Sequence, residues 1–243
     1  MVNFKKPIIN EKLEIDPNLH SEHTSMYRMI TNPTGKSSAM VANRGLMIEA
    51  LDGKFVKLLK DHTFKTKIYH DEKNNIYVYH VKVPSETSEK LHYDVVIEVS
   101  PADNGSTIKE PAKFFSNDPH FIYTYAHVLF VNDKIPDWLT PKLNKPTKKQ
   151  EPKIKNPLSS LGFVKSIYYA IKYLRYTDLL NINRKDVKNF KLKYNQNAIL
   201  HSISTFDEML VKVKKAKKIG SKNKTKKKKT VTRITKVVKR KKK

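Results

Sequence analysis

The chain has no cysteine, which excludes a disulfide framework, thiol redox chemistry and any zinc site built on thiolates. Glycine is scarce too, six residues in 243, which argues against the glycine-rich loops that wrap nucleotide phosphates. One fragment, TGKSS over Thr34 to Ser38, has the ending of such a loop, but Ile30 stands where the first glycine belongs. No stretch approaches the roughly 20 apolar residues of a membrane span. The opening MVNFKKPIINEKLEID also lacks the apolar core of a signal peptide. A soluble protein working inside a cell or a particle, neither secreted nor membrane-bound, is the expectation. Arginine is rare as well, 6 of the 49 basic residues against 43 lysines. Lysine holds a polyanion as a hydrated point charge, whereas arginine's planar fork is what reads guanine or clamps a phosphate.

The last shortage is local. Residues 211–243 contain no Asp or Glu, but 16 Lys and 2 Arg, so they carry +18 of the net +26 and leave +8 for residues 1–210. The chain reads as a mildly basic body with a strongly basic arm. The segment SKNKTKKKKTVTRITKVVKRKKK, Ser221 to Lys243, has too little apolar surface to offset the entropy of ordering, so a disordered tail is expected. Its candidate nucleic-acid-binding residues are Lys222, Lys224, Lys226, Lys227, Lys228, Lys229, Arg233, Lys236, Lys239, Arg240, Lys241, Lys242 and Lys243. Each phosphate neutralised releases counterions, so the expected binding is salt-sensitive and nearly blind to sequence. A solubilising or nuclear-targeting role is the plainer alternative for such a run.

The body divides by pattern into an extended arm (1–36), a β-rich α+β domain (37–133), a Pro/Lys-rich connector (134–157) and a helical segment (158–220), followed by the tail (221–243). From Ala39 to Val99 the pattern favours strands. NIYVYHVKV places Tyr77, Tyr79, Val81 and Val83 on one face and Ile76, Val78, His80 and Lys82 on the other. HYDVVIEVS turns Tyr93, Val95, Ile97 and Val99 inward. This period of two describes half-buried strands with a solvated second face. FKTKIYH makes a third strand, joined to the second by the hairpin turn DEKNN. In NDPHFIYTYAHVLFVND, Asp118 and Pro119 read as N-cap and first helical residue, with Ile122, Tyr125 and Leu129 on one face. The connector holds five prolines and seven lysines, which favours exposed, extended chain. Beyond it, Gly162 to Tyr176 predicts a helix whose stripe is Phe163, Ile167, Ile171 and Leu174 beside Val164 and Tyr168. A last helix should begin at Ser204 or Thr205, bury Phe206, Met209, Leu210 and Val213, and stop at Gly220. The fold class is therefore α+β, a small antiparallel sheet followed by helices and a basic tail.

The chemistry-bearing candidates are few. Lys165, Lys172 and Arg175 interleave with Tyr168, Tyr169, Tyr173 and Tyr176, a basic–aromatic mixture suited to phosphate contact and base stacking. At helical spacing, core tyrosines with solvated lysines opposite are the preferred reading. His20 and His23 are spaced as a metal pair but have no third ligand near them in sequence. Asp94 and Glu98 share a strand face, as the carboxylates of metal-dependent nucleases do, yet Ser100 stands where such a site wants a lysine. The solvent face of a strand explains them more simply. No catalytic residue, metal or cofactor is expected.

Two segments resemble a known class. AKFFSNDPHFIYTYAHVLFVNDKIPDWL carries Asp118, Pro119, Phe121, Tyr123, Thr124, Tyr125 and Ala126. KNPLSSLGFVKSIYYAIKYL carries Asn156, Pro157, Gly162, Phe163, Lys165, Ser166, Ile167, Tyr168, Ala170, Tyr173 and Leu174. Together, over about a quarter of the chain, they resemble structural proteins of large tailed bacteriophages. The resemblance implies a non-enzymatic virion component of the capsid or head–tail region. Its folded body would pack against other virion proteins in a multi-subunit assembly, and its tail would hold nucleic acid, DNA by preference. The alternative is a free, sequence-independent nucleic-acid-binding protein of chromatin or ribonucleoprotein type.

Overall fold

The computed structural model of the protein describes residues 25–31, 44–143 and 164–216. Its centre is a five-stranded sheet in the order β4-β3-β2-β1-β5. The strands are β1 (Lys65–Asp71), β2 (Ile76–Ser85), β3 (Ser88–Val99), β4 (Ala112–Ser116) and β5 (Lys191–Lys193). The first four pair antiparallel, and β5 joins the edge of β1 in parallel. The α+β class stands, and the sheet is mixed through this one late strand. The β1–β2 turn closes as its composition suggests. Asp71 accepts from the Lys73 amide at 3.1 Å and from Asn74 Nδ2 at 2.7 Å, and Asn75 takes the positive φ of 49° that asparagine tolerates.

Both faces of the sheet are covered. On the first, Tyr77, Tyr79, Val81, Val95, Ile97 and Phe114 are buried. They lie under α5 (Lys165–Tyr176), whose Ile167, Tyr168, Ile171 and Leu174 form the predicted apolar stripe. Helix α2 (Arg44–Asp61) packs on α5 through Phe55, which stacks on Tyr169 at 6.3 Å. The short α1 (Met26–Thr31) buries Met26, Met29 and Ile30 in the same core.

The second face differs from the sequence reading. Val78, Val96 and Phe115 there are as buried as anything opposite. The cover comes from α3 (Pro119–Thr124), α4 (Ala126–Val131), a 3-10 turn (Asp137–Lys142), α7 (Gln196–Ser202) and the start of a helix over 206–216, here α8. Phe121 meets Phe115 edge-on at 6.0 Å, and Trp138 reaches Glu98. A polar second face is thus buried because its polar groups are paired with one another. A further helix, α6 (Lys185–Phe190), leads directly into β5.

Three more expectations change. Residues 44–61, placed among strands, form an 18-residue helix that buries Leu51, Phe55 and Leu58 at helical spacing. The N-terminal segment, taken as an arm, includes α1 in the core. The first part of the connector is packed, with Ile135, Leu139 and Leu143 buried despite Pro136 and Pro141, and 144–163 lie outside the described residues. Asp118 does cap its helix, accepting from the His120 amide, with Pro119 in the first turn. The helix breaks at Tyr125, so α3 and α4 replace one continuous element.

Candidate functional site

The densest polar arrangement among the described residues lies on the covered second face, where Asp94 of β3 stands beside His80 and Lys82 of β2. Asp94 is 3 % exposed and His80 2 %. Both had been expected on a solvated face, and the helical layer above them is why they are not. Asp94 Oδ1 accepts from His80 Nε2 at 2.9 Å and lies 3.3 Å from Lys82 Nζ. Its Oδ2 accepts from Asn117 Nδ2 at 2.9 Å and from the Ser204 amide at 3.4 Å. Asn117 closes the remaining gap. Its side-chain oxygen accepts from the Asp94 amide at 2.8 Å, and its own amide donates to the Asp94 carbonyl at 3.2 Å. Asn117 thereby continues the β3 ladder one residue past the end of β4. Burial pushes the Asp94 carboxyl up, but the imidazole and the Lys82 ammonium outweigh it and hold it below the usual carboxylate range.

A His–Asp pair is one half of a general-base arrangement, and the other half is an accessible nucleophile or substrate on the free ring nitrogen. Here His80 Nδ1 is buried and has no hydrogen-bond partner among the described residues. The cluster ties β2, β3, the β4–α3 junction and the start of α8 together.

Glu98 keeps separate company. Its Oε2 accepts from Trp138 Nε1 at 2.8 Å, and burial raises its carboxyl above the ordinary value against the opposing pull of Trp138 and Lys113. It borders an open cleft of about 250 Å³ with Ile76, Lys113, Asp133 and Lys134. Asp94 and Glu98 therefore answer to different partners, and Ser100 is exposed. Among the described residues no group of three or more His, Asp or Glu is placed to hold a metal ion. His20 and His23 lie outside the described residues.

Most basic and aromatic residues of α5 have partners within the fold. Tyr168 donates to Asp52 and Tyr169 to Glu86, each at 2.7 Å, and Tyr173 stacks on Phe64 at 4.6 Å. Desolvation, with the adjacent carboxylates, raises both buried phenols. Lys172 pairs with Asp52 at 2.8 Å and Lys165 with Glu86 at 3.5 Å. Only Arg175 and Tyr176 stand open at the end of this helix.

The thirteen tail residues, Lys222 to Lys243, lie outside the described residues. What the sequence reading missed is a second basic concentration on the body, at the β1–β2–β3 corner. Lys65 is registered opposite Lys82, and His92 lies two residues before Asp94 on the same face. Burial lowers the His92 pKa first. A bond to the Thr63 backbone opposes this, and the fields of Lys65, Lys82 and His62 add to the lowering. The signal was present in the lysine alternation of FKTKIYH, but only strand register brings Lys65 to Lys82.

No family model matches the chain, and comparison with curated proteins and with solved structures finds no match either. The segments 112–139 and 164–174 meet in the fold. Ser116 and Ser166 hydroxyls lie 3.2 Å apart, and the Asp118 amide donates to Ser116 Oγ at 3.1 Å. Burial raises the Asp118 carboxyl above its ordinary value, against the opposing pull of the His120 amide. No helix among the described residues is long and apolar enough to cross a membrane.

Proposed function

We propose that the protein is a non-enzymatic structural component of a particle, the capsid or head–tail region of a tailed phage, in which a folded body is held by protein contacts and a lysine-rich arm contacts packaged DNA. The observation that carries the reading is the partition of charge. Residues 211–243 hold +18 of the +26 without one acidic residue, while several carboxylates of the body are engaged in internal pairs, Asp94–His80, Glu86–Tyr169 and Asp52–Lys172. A chain built this way is suited to contact phosphate through the stretch that has no acidic residue of its own. The near-absence of arginine suits contact without sequence preference. The phage setting rests on the resemblance of 112–139 and 155–174, segments whose Ser116 and Ser166 hydroxyls lie 3.2 Å apart.

The test is sedimentation of the native protein from its source after nuclease digestion, at low and at high salt. Under this reading the protein stays with a large particle through both treatments. Release into the supernatant makes the arm the only tether and favours a free nucleic-acid-binding protein instead.

A further inference from the structure

Like charges placed directly opposite on neighbouring strands destabilise a sheet, yet Lys65 of β1 and Lys82 of β2 are registered opposite one another. Lys67 follows two residues on, so Lys65 and Lys67 point to the same face of β1, both exposed. His92 joins them from β3, two positions before Asp94, and His62 from the end of α2. One anion stands within the group, Asp94. It is buried, shared with His80 and Asn117, and within reach of Lys82 alone among the lysines of the corner. Lys65 and Lys67 make no ion pair among the described residues. The acids next in sequence to His62 and to the Ser204–Thr205 cap, Asp61, Asp207 and Glu208, are all exposed, and Glu208 is bonded to the Thr205 amide.

The last helix starts from this corner. The Ser204 amide donates to Asp94, and Lys212 Nζ donates to Ser204 Oγ at 2.6 Å, which sets a fourth lysine beside the group. The sequence after this helix is the lysine-rich stretch 217–243. From these juxtapositions we infer that the β1–β2–β3 corner, centred on Lys65, Lys67 and Lys82 with Lys212 at its edge, is a phosphate-binding surface of the folded body for a nucleic-acid backbone. Alternate residues on a strand repeat at roughly 7 Å, so the surface presents a row of charges, which suits a polymer of phosphates better than a single ion. The inference deepens the proposed function and rests on its nucleic-acid reading. It needs no contribution from the arm.

The experiment uses the full chain, a Lys65→Gln/Lys67→Gln variant, a variant with Lys222, Lys224 and Lys226 to Lys229 changed to Gln, and the combination. Both sheet lysines are exposed and unpaired, so the fold is kept, and circular dichroism melts check this. Fluorescence anisotropy with a mixed-sequence duplex of about 30 base pairs, over a salt series, should show the sheet variant losing about two units of log–log salt slope and about tenfold in affinity near 0.1 M salt. The arm variant should keep residual binding that the combined variant loses. Identical slope and affinity for the sheet variant and its parent, in both arm backgrounds, would overturn the inference. Preference for anionic vesicles over duplex, lost in the sheet variant, would overturn the nucleic-acid assignment. An unchanged arm variant beside a weakened sheet variant would sink the arm reading and leave this one standing.

Discussion

Asp94 decides more of the second face than any apolar residue there, because its two oxygens and its backbone organise His80, Lys82, Asn117 and Ser204 at once. Removing one partner of a buried charge pair strands the other, so Asp94→Ala should cost on the order of 3–5 kcal/mol in denaturant unfolding. The pH dependence has a definite sign. The folded carboxyl titrates below its ordinary 3.8, so its stabilisation is complete above that value and is lost as pH falls through the folded pKa. Glu98 and Asp118 are raised, and they act in the opposite sense, favouring the fold at low pH and losing that contribution as pH rises through their folded values. Asp94→Asn should therefore flatten the acid limb of stability below about pH 4, read from urea midpoints between pH 2.5 and 7. Glu98→Gln, which keeps an acceptor for Trp138, should leave that limb in place. These roles were not legible in the sequence. An alternation of Val78, His80 and Lys82 with Asp94, Val96 and Glu98 describes a solvated face equally well, and only the pairing of the polar groups with one another permits its burial.

At the scale of elements, the last helix opens with a reciprocal capping box. The Thr205 amide donates to Glu208 Oε2 at 2.9 Å, and the Glu208 amide donates to Thr205 Oγ1 at 3.3 Å. Thr205→Ala should cost about 1 kcal/mol, seen as a lower melting temperature, while Asp207→Ala, one residue from the box, should cost less. The loop between β3 and β4 depends on Gly105, whose φ of +78° suits no other residue well and whose added Cβ would meet the Asn183 side chain at 2.3 Å. Gly105→Ala should destabilise by roughly 1–2 kcal/mol or more, and Asn183→Ala in the same chain should recover only the steric part. The strands β1 to β3, the Asp118–Pro119 helix start, the α5 stripe and the Thr205 cap were all legible, because each follows from a local period or a capping pattern. The helix over 44–61 was not read, although Leu51, Phe55 and Leu58 recur at helical spacing, since Gly53 and Val56 interrupt the preference. Prolines 136 and 141 suggested exposed chain, and tertiary packing of Ile135, Leu139 and Leu143 overrode them. A three-residue edge strand such as β5 carries no periodic signal of its own.

At the scale of the molecule, the sheet, α1, α2, α5 and the later helices contribute to one hydrophobic core, and the charge of the chain is distributed against that core. Several carboxylates of the body, Asp52, Asp94 and Glu98 among them, are buried or paired, while 13 lysines and arginines lie in 221–243. The concentration of charge in 221–243 is a matter of composition alone. The basic corner at Lys65 and Lys82 is not, because its members come from different strands and only pairing unites them. The central claim is that the arm holds nucleic acid through phosphate contacts, and salt dependence tests it most directly. Binding of the full chain and of a chain ending at residue 220 to the same non-specific duplex should be titrated across salt concentrations. If about half of the arm's charges meet phosphates, the full chain should show a log–log slope steeper by roughly six than the shortened chain, and the weaker binding that remains should belong to the body. Equal slopes and equal affinities for the two chains would contradict the account.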